Sequence, residues 1–272
     1  MRLAGLLIML AGPAAAGCGT VDAACDIASG SYHIEVPANG TDFPAVMFLH
    51  GWGGSGTGTL SNRGMVDAFL ARGYAVIAPD GQLRQSGEGR TWDFYPDGTA
   101  KRDETAFLMA IADDATDRFN LDRSHILLAG FSIGGSMTSY VACAEPTSFA
   151  AFAPVAGSFW RPHPTVCAGP VRLLHTHGWT DSTVPLEGRM IGDYRQQGDV
   201  FAAMEIWRAT NGCANQDPDS FGDTGTFWQR RWTHCTASSA LEFALHQGSH
   251  GVPKGWAKLA LDWFEALPAQ QP

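Results

Sequence analysis

The chain has 272 residues, of which 45% are hydrophobic and 17% are charged, and its formal net charge is −9. These values are ordinary for a globular protein, and the length suits a single α/β domain. The charges are dispersed along the chain and no run of Lys or Arg is present. Nucleic acids and anionic membrane surfaces are therefore poor candidate partners.

The N-terminus is typical of a secretory signal peptide. Arg2 precedes a short apolar run, and three alanines at 14–16 satisfy the small-residue rule for cleavage. We expect residues 1–16 to be removed, and residues 17–272 to form one domain that is exported to a periplasm or to the cell exterior. The apolar run is shorter than a membrane-spanning helix, and no later segment is long enough to span a bilayer.

The cysteines also indicate an oxidising compartment, because an even number in an exported chain favours disulfides. Pairing of neighbours along the sequence predicts Cys18–Cys25, Cys143–Cys167 and Cys213–Cys235, although the sequence does not decide among the possible connectivities. Residues 15–18 also resemble a bacterial lipoprotein signal, in which the cysteine is acylated. We favour the disulfide, because Ala15 stands where leucine is usual and acylation would leave an odd cysteine.

The elements alternate between apolar runs of strand length and amphipathic segments of helix length. In chain order, the pattern predicts strands at 32–36 and 44–49, a helix at 62–72, a strand at 74–78, a helix at 101–119, a strand at 126–129, a helix at 136–143, strands at 149–155 and 171–176, a helix at 199–210, strands at 227–233 and 240–246, and a helix at 255–267. The alternation indicates a mainly parallel sheet with helices on both faces. Two irregular stretches, 80–100 and 211–226, are predicted to be loops.

The strand at 126–129 leads into Gly130-Phe-Ser132-Ile-Gly134, which matches the pattern G-x-S-x-G and is followed by a predicted helix. Strand, sharp turn and helix together are the context of a nucleophile elbow. The glycines allow the close packing that such a turn requires. Ser132 is therefore the candidate nucleophile.

A serine hydroxyl needs a general base, and the base needs an orienting carboxylate. Asp181 lies in a turn just after the strand at 171–176, whereas its rival Asp193 is placed in a helical segment. His250 lies in a glycine-containing loop before the last helix, and His246 is the second choice for the base. The order serine, acid, histidine along the chain is one of the known orders of this triad.

An oxyanion hole requires two backbone N–H groups that point at the developing charge. Ile133, directly after Ser132, is the first candidate donor. The second belongs to the stretch His50-Gly-Trp-Gly-Gly after the strand at 44–49, and we assign it to Trp52, with Gly51 as the alternative. A phosphate-binding loop is disfavoured because no Lys stands in the required position.

Aromatic residues follow several of the predicted strands on the same side of the sheet. We expect Trp92, Trp160 and Trp179 to line a substrate pocket, and Trp52, Phe94, Tyr95 and Phe159 fall in similar loops. For each residue alone, ordinary packing in the core is at least as good an explanation.

These motifs together resemble the exported esterase family that includes polyhydroxybutyrate depolymerases, feruloyl esterases and acetyl xylan esterases. The matching stretches are Leu49-His-Gly-Trp-Gly-Gly, Gly130-Phe-Ser-Ile-Gly-Gly-Ser-Met, Ala153-Pro-Val-Ala-Gly, His177-Gly-Trp-Thr-Asp-Ser-Thr-Val-Pro, Asn211-Gly-Cys and Gly248-Ser-His. The resemblance implies an α/β-hydrolase fold and a secreted serine esterase that cleaves carboxylic esters through an acyl-enzyme. A small or oligomeric ester would be the substrate, and no cofactor or metal is expected.

Two features depart from that family. Gly251-Val-Pro follows the candidate base where an aromatic residue is usual, and the chain shows no separate polymer-binding domain. Both weaken the expectation of polyester depolymerisation. The alternatives are a peptidase or amidase on the same fold and a catalytically silent binding protein. The sequence does not indicate an oligomeric state.

Overall fold

The computed structural model describes residues 18–19, 23–95 and 100–268. The strands within these ranges are β1 (Cys25–Ile27), β2 (Gly30–Glu35), β3 (Phe43–Leu49), β4 (Ala75–Pro79), β5 (Gln82–Leu83), β6 (Arg90–Thr91), β7 (Leu121–Phe131), β8 (Ala151–Val155), β9 (Trp160–Arg161), β10 (Arg172–Gly178), β11 (Met190–Ile191), β12 (Arg195–Gln197), β13 (Ser220–Asp223), β14 (Phe227–Trp232) and β15 (Ala240–His246). The helices are α1 (Gly56–Leu60), α2 (Arg63–Leu70), α3 (Glu104–Phe119), α4 (Ile133–Ala144), α5 (Val200–Thr210) and α6 (Trp256–Glu265).

Ten of these strands form one sheet in the order β1-β2-β4-β3-β7-β8-β10-β15-β14-β13. The six central strands, from β4 to β15, are parallel, and the pairs at both edges are antiparallel. The carboxyl ends of β7, β10 and β15 therefore meet at the same edge of the sheet, where ligands of open α/β sheets bind. This architecture confirms the predicted mainly parallel sheet.

Side chains on successive strand residues alternate between two hydrophobic cores, one on each face of the sheet. On β3, Met47 and Leu49 belong to the first core, and Val46 and Phe48 belong to the second. The first core is covered by α3, α4 and α5, and the second by α2 and α6. Because helices cover both faces of the sheet, successive residues of the central strands are apolar, which is typical of buried parallel strands.

The first and last residues of helix α3 are determined by capping residues at its two ends. The carboxylate of Asp103 accepts a hydrogen bond of 2.9 Å from the N–H of Ala106, which caps the helix. At the other end, Asn120 takes a left-handed conformation with φ of 53°, which ends it. The helix thus begins three residues later than the predicted 101, because Asp103 serves as the cap.

Several elements were not predicted from the sequence. The glycine-rich segment after His50 contains the short helix α1, and the predicted loop at 211–226 contributes the edge strand β13. Asp193 does not lie in a helix. It is exposed in the turn of a hairpin in which Met190 pairs with Gln196.

All three predicted disulfides, Cys18–Cys25, Cys143–Cys167 and Cys213–Cys235, are present in the structure. A sulfur held in a disulfide cannot also carry the thioether-linked lipid of a lipoprotein anchor. The predicted signal peptide at 1–16 lies outside the described residues. No helix in the described ranges is long and apolar enough to cross a membrane.

Candidate active site

Ser132 occupies the sharp turn between the end of β7 and the start of α4. Its φ of 57° and ψ of −120° lie in a region that residues with a side chain rarely adopt. The backbone N–H of Ser132 donates a 2.9 Å hydrogen bond to the carbonyl of Val155 on β8, which holds the turn against the sheet. Such a strained, over-determined backbone is a feature of functional sites.

The glycines around this turn are required by close backbone contacts. A Cβ atom on Gly134 would lie 2.4 Å from the carbonyl oxygen of Leu49, and one on Gly130 would lie 2.4 Å from that of Gly134. A Cβ on Gly157, in the loop after β8, would lie 2.0 Å from the carbonyl oxygen of Ser132. The turn can therefore form only if these positions carry no side chain.

Three side chains from the carboxyl ends of β7, β10 and β15 form a hydrogen-bonded chain. The Oγ atom of Ser132 lies 2.9 Å from Nε2 of His250, and Nδ1 of His250 lies 2.7 Å from Oδ2 of Asp181. An ionised carboxylate only accepts hydrogen bonds, so Nδ1 of His250 carries its proton and Nε2 accepts from the serine hydroxyl. The structure thus brings together the three residues predicted for the nucleophile, the acid and the base.

Asp181 is buried and well supplied with donors. Its second oxygen, Oδ1, accepts backbone N–H groups from Thr183 at 2.9 Å and from Val184 at 2.8 Å. Burial alone would raise the pKa of Asp181, but the hydrogen bonds from His250 and Val184 and the neighbouring His177 outweigh it and lower the pKa below its ordinary value of 3.8. The carboxylate is therefore ionised at neutral pH.

The alternatives to Asp181 and His250 are placed differently. Asp193 lies in its exposed hairpin turn, outside this hydrogen-bonded chain. His246 is buried at the end of β15, where its Nδ1 accepts a hydrogen bond from the N–H of Gly248 at 3.1 Å. Burial lowers the pKa of His246. Its ring supports the turn that leads to His250 and does not bond to Ser132.

The two predicted oxyanion donors lie near the serine. Ile133 is the first residue of α4, so its N–H has no partner within the helix. In the loop after β3, the N–H groups of Gly53 and Gly54 bond to Arg90 and Gly51, whereas that of Trp52 has no acceptor among the described residues. A Cβ on Gly51 would lie 3.6 Å from the Cβ of Ser132, which places this loop beside the nucleophile elbow.

Trp92 does not line a pocket, contrary to the sequence-based expectation. Its side chain is fully buried, its indole N–H donates to the carbonyl oxygen of His50 at 2.9 Å, and its ring contacts the imidazole of His50. His50 in turn accepts the N–H of Gly81 at 3.0 Å and contacts the carbonyl oxygen of Gly51 at 2.8 Å. Both residues therefore hold the loop of the candidate oxyanion donor, a role that the sequence did not reveal.

The other predicted pocket residues differ in exposure. Trp160 is buried in an aromatic cluster with Phe94, Tyr95 and Tyr140, so at most an edge of its ring is accessible. Trp179 is 56% exposed beside the His250 loop, to which the N–H of Thr180 bonds at Gly248. Of the three, only Trp179 presents a large accessible surface.

A groove also begins at the exposed side chain of Trp52, and the sequence pattern did not indicate it. Its walls include Leu83, Arg84 and Tyr194, and its volume is about 410 Å³. The guanidinium of Arg84 lies 4.4 Å from the centre of the Trp52 ring. Trp52 is therefore one wall of this groove, and its backbone N–H is a candidate oxyanion donor.

Known proteins resemble this chain both in sequence and in structure. Residues 62–161, which include the elbow, match the model of the prolyl oligopeptidase family. The chain is 29% identical over 174 residues to the bifunctional acetylxylan esterase/xylanase XynS20E of Neocallimastix patriciarum, covering 61% of this chain and 24% of that protein. It is 28% identical over 159 residues to feruloyl esterase C of Emericella nidulans, covering 56% of this chain and 52% of that protein.

The structure is similar to that of the acetyl xylan esterase from Aspergillus awamori, with a TM-score of 0.65 and 16% identity. The match covers 86% of this chain and 93% of that chain. By contrast, the matches span between 24% and 66% of the length of the curated relatives that the chain resembles in sequence. The chain is therefore a protein of the α/β-hydrolase fold that resembles proteins named as feruloyl and acetylxylan esterases.

Proposed function

We propose that the protein is a serine hydrolase that cleaves carboxylic esters through an acyl-enzyme. The observation that carries the proposal is the hydrogen-bonded chain from Ser132 through His250 to Asp181, at 2.9 Å and 2.7 Å. In this arrangement His250 takes the proton of Ser132 as the hydroxyl attacks the ester carbonyl. Asp181 holds the imidazole in the required tautomer and stabilises its charged form.

The remaining steps use the same groups. The N–H groups of Ile133 and Trp52 bind the oxygen of the tetrahedral intermediate, which is where negative charge develops. His250 then donates its proton to the leaving alcohol, and a water molecule repeats the sequence on the acylated Ser132. We expect chelators to leave turnover unchanged, because this cycle draws its nucleophile and its base from side chains alone.

For the substrate we propose an acetyl or feruloyl ester of a small or oligomeric alcohol. The names of the relatives support this class, and so do the exposed aromatic side chains of Trp52, in the loop beside the nucleophile elbow, and of Trp179, beside the His250 loop. Such side chains offer flat apolar surfaces to a phenolic ring or to the faces of sugars. A polyhydroxybutyrate-like substrate is the second choice, because Gly251-Val-Pro follows the candidate base where an aromatic residue is usual in depolymerases of that family.

A panel of esters tests this proposal. We expect wild-type protein to hydrolyse p-nitrophenyl acetate and methyl ferulate, with turnover falling from p-nitrophenyl acetate through butyrate to octanoate. Release of p-nitrophenol and of ferulate is the measurement. A folded protein that cleaves none of these esters would contradict the proposal, whereas a preference for octanoate would replace the proposed substrate class with long-chain esters.

A peptidase or amidase is the second candidate, and the match to the prolyl oligopeptidase model favours it specifically. That match is confined to residues 62–161 and contains neither Asp181 nor His250. Matched p-nitroanilide and p-nitrophenyl substrates with the same acyl group separate the two activities. Faster turnover of the anilide would favour the peptidase.

We also propose that the protein is exported, because its three disulfides require an oxidising compartment. We expect the protein secreted by a producing cell to lack residues 1–16 and to react with no thiol reagent when it is denatured without reductant. Intact mass before and after alkylation measures both properties. A mature protein that retains the leader, or that takes up the reagent, would contradict the export proposal.

A further inference from the structure

Two buried histidines on β10 lie directly behind the candidate acid, and the mechanism above does not use them. His175 and His177 are both fully buried, and because they are two residues apart on a strand they point to the same face. Their rings are parallel within 5°, with centres 5.4 Å apart. Burial of two polar side chains on a central strand costs free energy unless their ring nitrogens form hydrogen bonds. The hydrogen-bond partners of the two rings are therefore informative.

The hydrogen bonds of this pair define the position of each proton. Nε2 of His177 lies 2.8 Å from the carbonyl oxygen of Val184, which can only accept, so this nitrogen carries the proton. In the neutral ring, Nδ1 of His177 is then an acceptor, and Nε2 of His175 donates to it at 3.1 Å. The Nδ1 atom of His175 has no partner among the described residues. His175 therefore donates to His177, and His177 donates to the carbonyl oxygen of Val184.

The neutral form of both rings agrees with their surroundings. Burial lowers the pKa of His177 and lowers that of His175 well below its usual value. The titratable groups that face His177 are His175 on the same strand, Asp181 in the following turn, and His246 and His250 from the end of β15 and the loop after it. A neutral imidazole that donates at one nitrogen and accepts at the other satisfies this crowded site without adding a charge.

Val184 connects the pair to the triad. Its carbonyl oxygen accepts from His177, and its N–H donates to Oδ1 of Asp181 at 2.8 Å. The same Nε2 atom of His177 also lies 3.5 Å from Oδ2 of Asp181, the oxygen that contacts His250. His177 thus contacts both the carboxylate of Asp181 and Val184, the residue whose N–H donates to that carboxylate.

We propose that His177, held in its Nε2–H tautomer by His175, is a positioning residue that orients the Asp181 carboxylate toward His250. This inference rests on the proposed esterase function. It requires no proton transfer through His177. Loss of its N–H would release the turn at Val184 and allow the carboxylate to rotate away from the base. A displacement of about 1 Å in a catalytic group can reduce the rate by roughly 10²-fold.

Two substitutions at this position differ in whether a donor remains. His177→Leu fills a similar space but cannot donate, whereas His177→Gln places an amide N–H within reach of the Val184 carbonyl. For p-nitrophenyl acetate we expect His177→Leu to lower kcat by roughly 10- to 100-fold with KM within about twofold of wild type. His177→Gln should keep kcat within about fivefold of wild type. His125→Leu removes a histidine from β7 that contacts Tyr74 and Phe264 instead, and it serves as the matched control.

A merely structural role would give a different result. It would lower the melting temperature of the leucine and glutamine variants alike and leave kcat per labelled site unchanged, with sites counted by a fluorophosphonate probe. That outcome would overturn the proposal. Inactivity of the wild-type protein would instead contradict the esterase function itself.

Nuclear magnetic resonance of the wild-type rings tests the inference even if the leucine variant does not fold. The ¹⁵N shifts of His177 should report a neutral ring protonated at Nε2 from about pH 6 to about pH 8, in which range an unperturbed histidine titrates. A ring that titrates in this range, or that carries its proton on Nδ1, would overturn the assignment of the donor. This measurement does not depend on turnover.

Discussion

Replacement of Ser132 by alanine is expected to lower kcat for p-nitrophenyl acetate by on the order of 10⁶-fold, as loss of the nucleophile does in well-studied serine hydrolases. The acyl-enzyme cannot form without the Oγ atom that His250 contacts at 2.9 Å. The fold should be retained, because the strained turn is held by the backbone bond from Ser132 to Val155. Initial rates and circular dichroism measure the two properties.

Ser139→Ala is the matched control for this substitution. Ser139 lies on the same helix, α4, and its hydroxyl donates to the carbonyl of Gly135, away from the triad. We expect this variant to keep wild-type turnover. Retention of esterase activity in Ser132→Ala, with the control also active, would mean that another residue is the nucleophile.

Replacement of Asp181 by asparagine is expected to lower kcat by on the order of 10⁴-fold, the size of the effect seen when a serine protease loses this carboxylate. An asparagine can still accept the N–H groups of Thr183 and Val184 through its oxygen. Its amide N–H₂ would then face Nδ1 of His250 and would favour the tautomer that donates to Ser132. The variant should therefore fold normally but lack an effective base.

Asp193→Asn is the control for this experiment, because Asp193 is exposed in its hairpin turn. Kinetics at pH 8 with the same ester measure both variants. The low pKa of Asp181 means that protonation of the wild-type carboxylate does not complicate the comparison. Equal losses in the two variants, or a loss confined to Asp193→Asn, would show that the acid has been assigned to the wrong residue.

The nucleophile elbow and the order of the triad residues could be predicted from the sequence because short local patterns define both. Gly130 to Gly134 follows an apolar strand and precedes a helix, so the local pattern alone defines the turn. Asp181 and His250 follow strand ends, and the carboxyl ends of parallel strands lie at one edge of the sheet. The distances that join Ser132, His250 and Asp181 depend on packing between segments far apart in sequence, and only the structure supplies them.

Predictions failed where a contact distant in sequence decides the outcome. Trp92 resembles an exposed loop aromatic in the sequence, but its indole N–H bonds to His50, which is 42 residues away, and this contact buries it. The part of β7 from Leu121 to His125 carries four consecutive polar residues, 122–125, which are half-buried or exposed, so the apolar pattern does not reveal its extended conformation. The helical placement of Asp193 is wrong because Gly192, with φ of 61°, lies in the turn of a hairpin.

The positioning role of His177 illustrates the same limit. The sequence places His177 in a motif with Asp181, but the spacing does not reveal that Val184 joins the two, with its carbonyl oxygen bonded to His177 and its N–H bonded to Asp181. Pairs of this kind are recognised from hydrogen-bond directions, which follow from which atoms can only accept.

The most direct test of the account is the site at which a fluorophosphonate probe labels the protein. We expect one adduct per chain, located by peptide mass spectrometry on Ser132, and we expect His250→Gln to slow its formation by several orders of magnitude, because the serine then lacks its base. Labelling at another residue, or equally fast labelling of Ser132 without His250, would contradict the claim that this serine is an activated nucleophile.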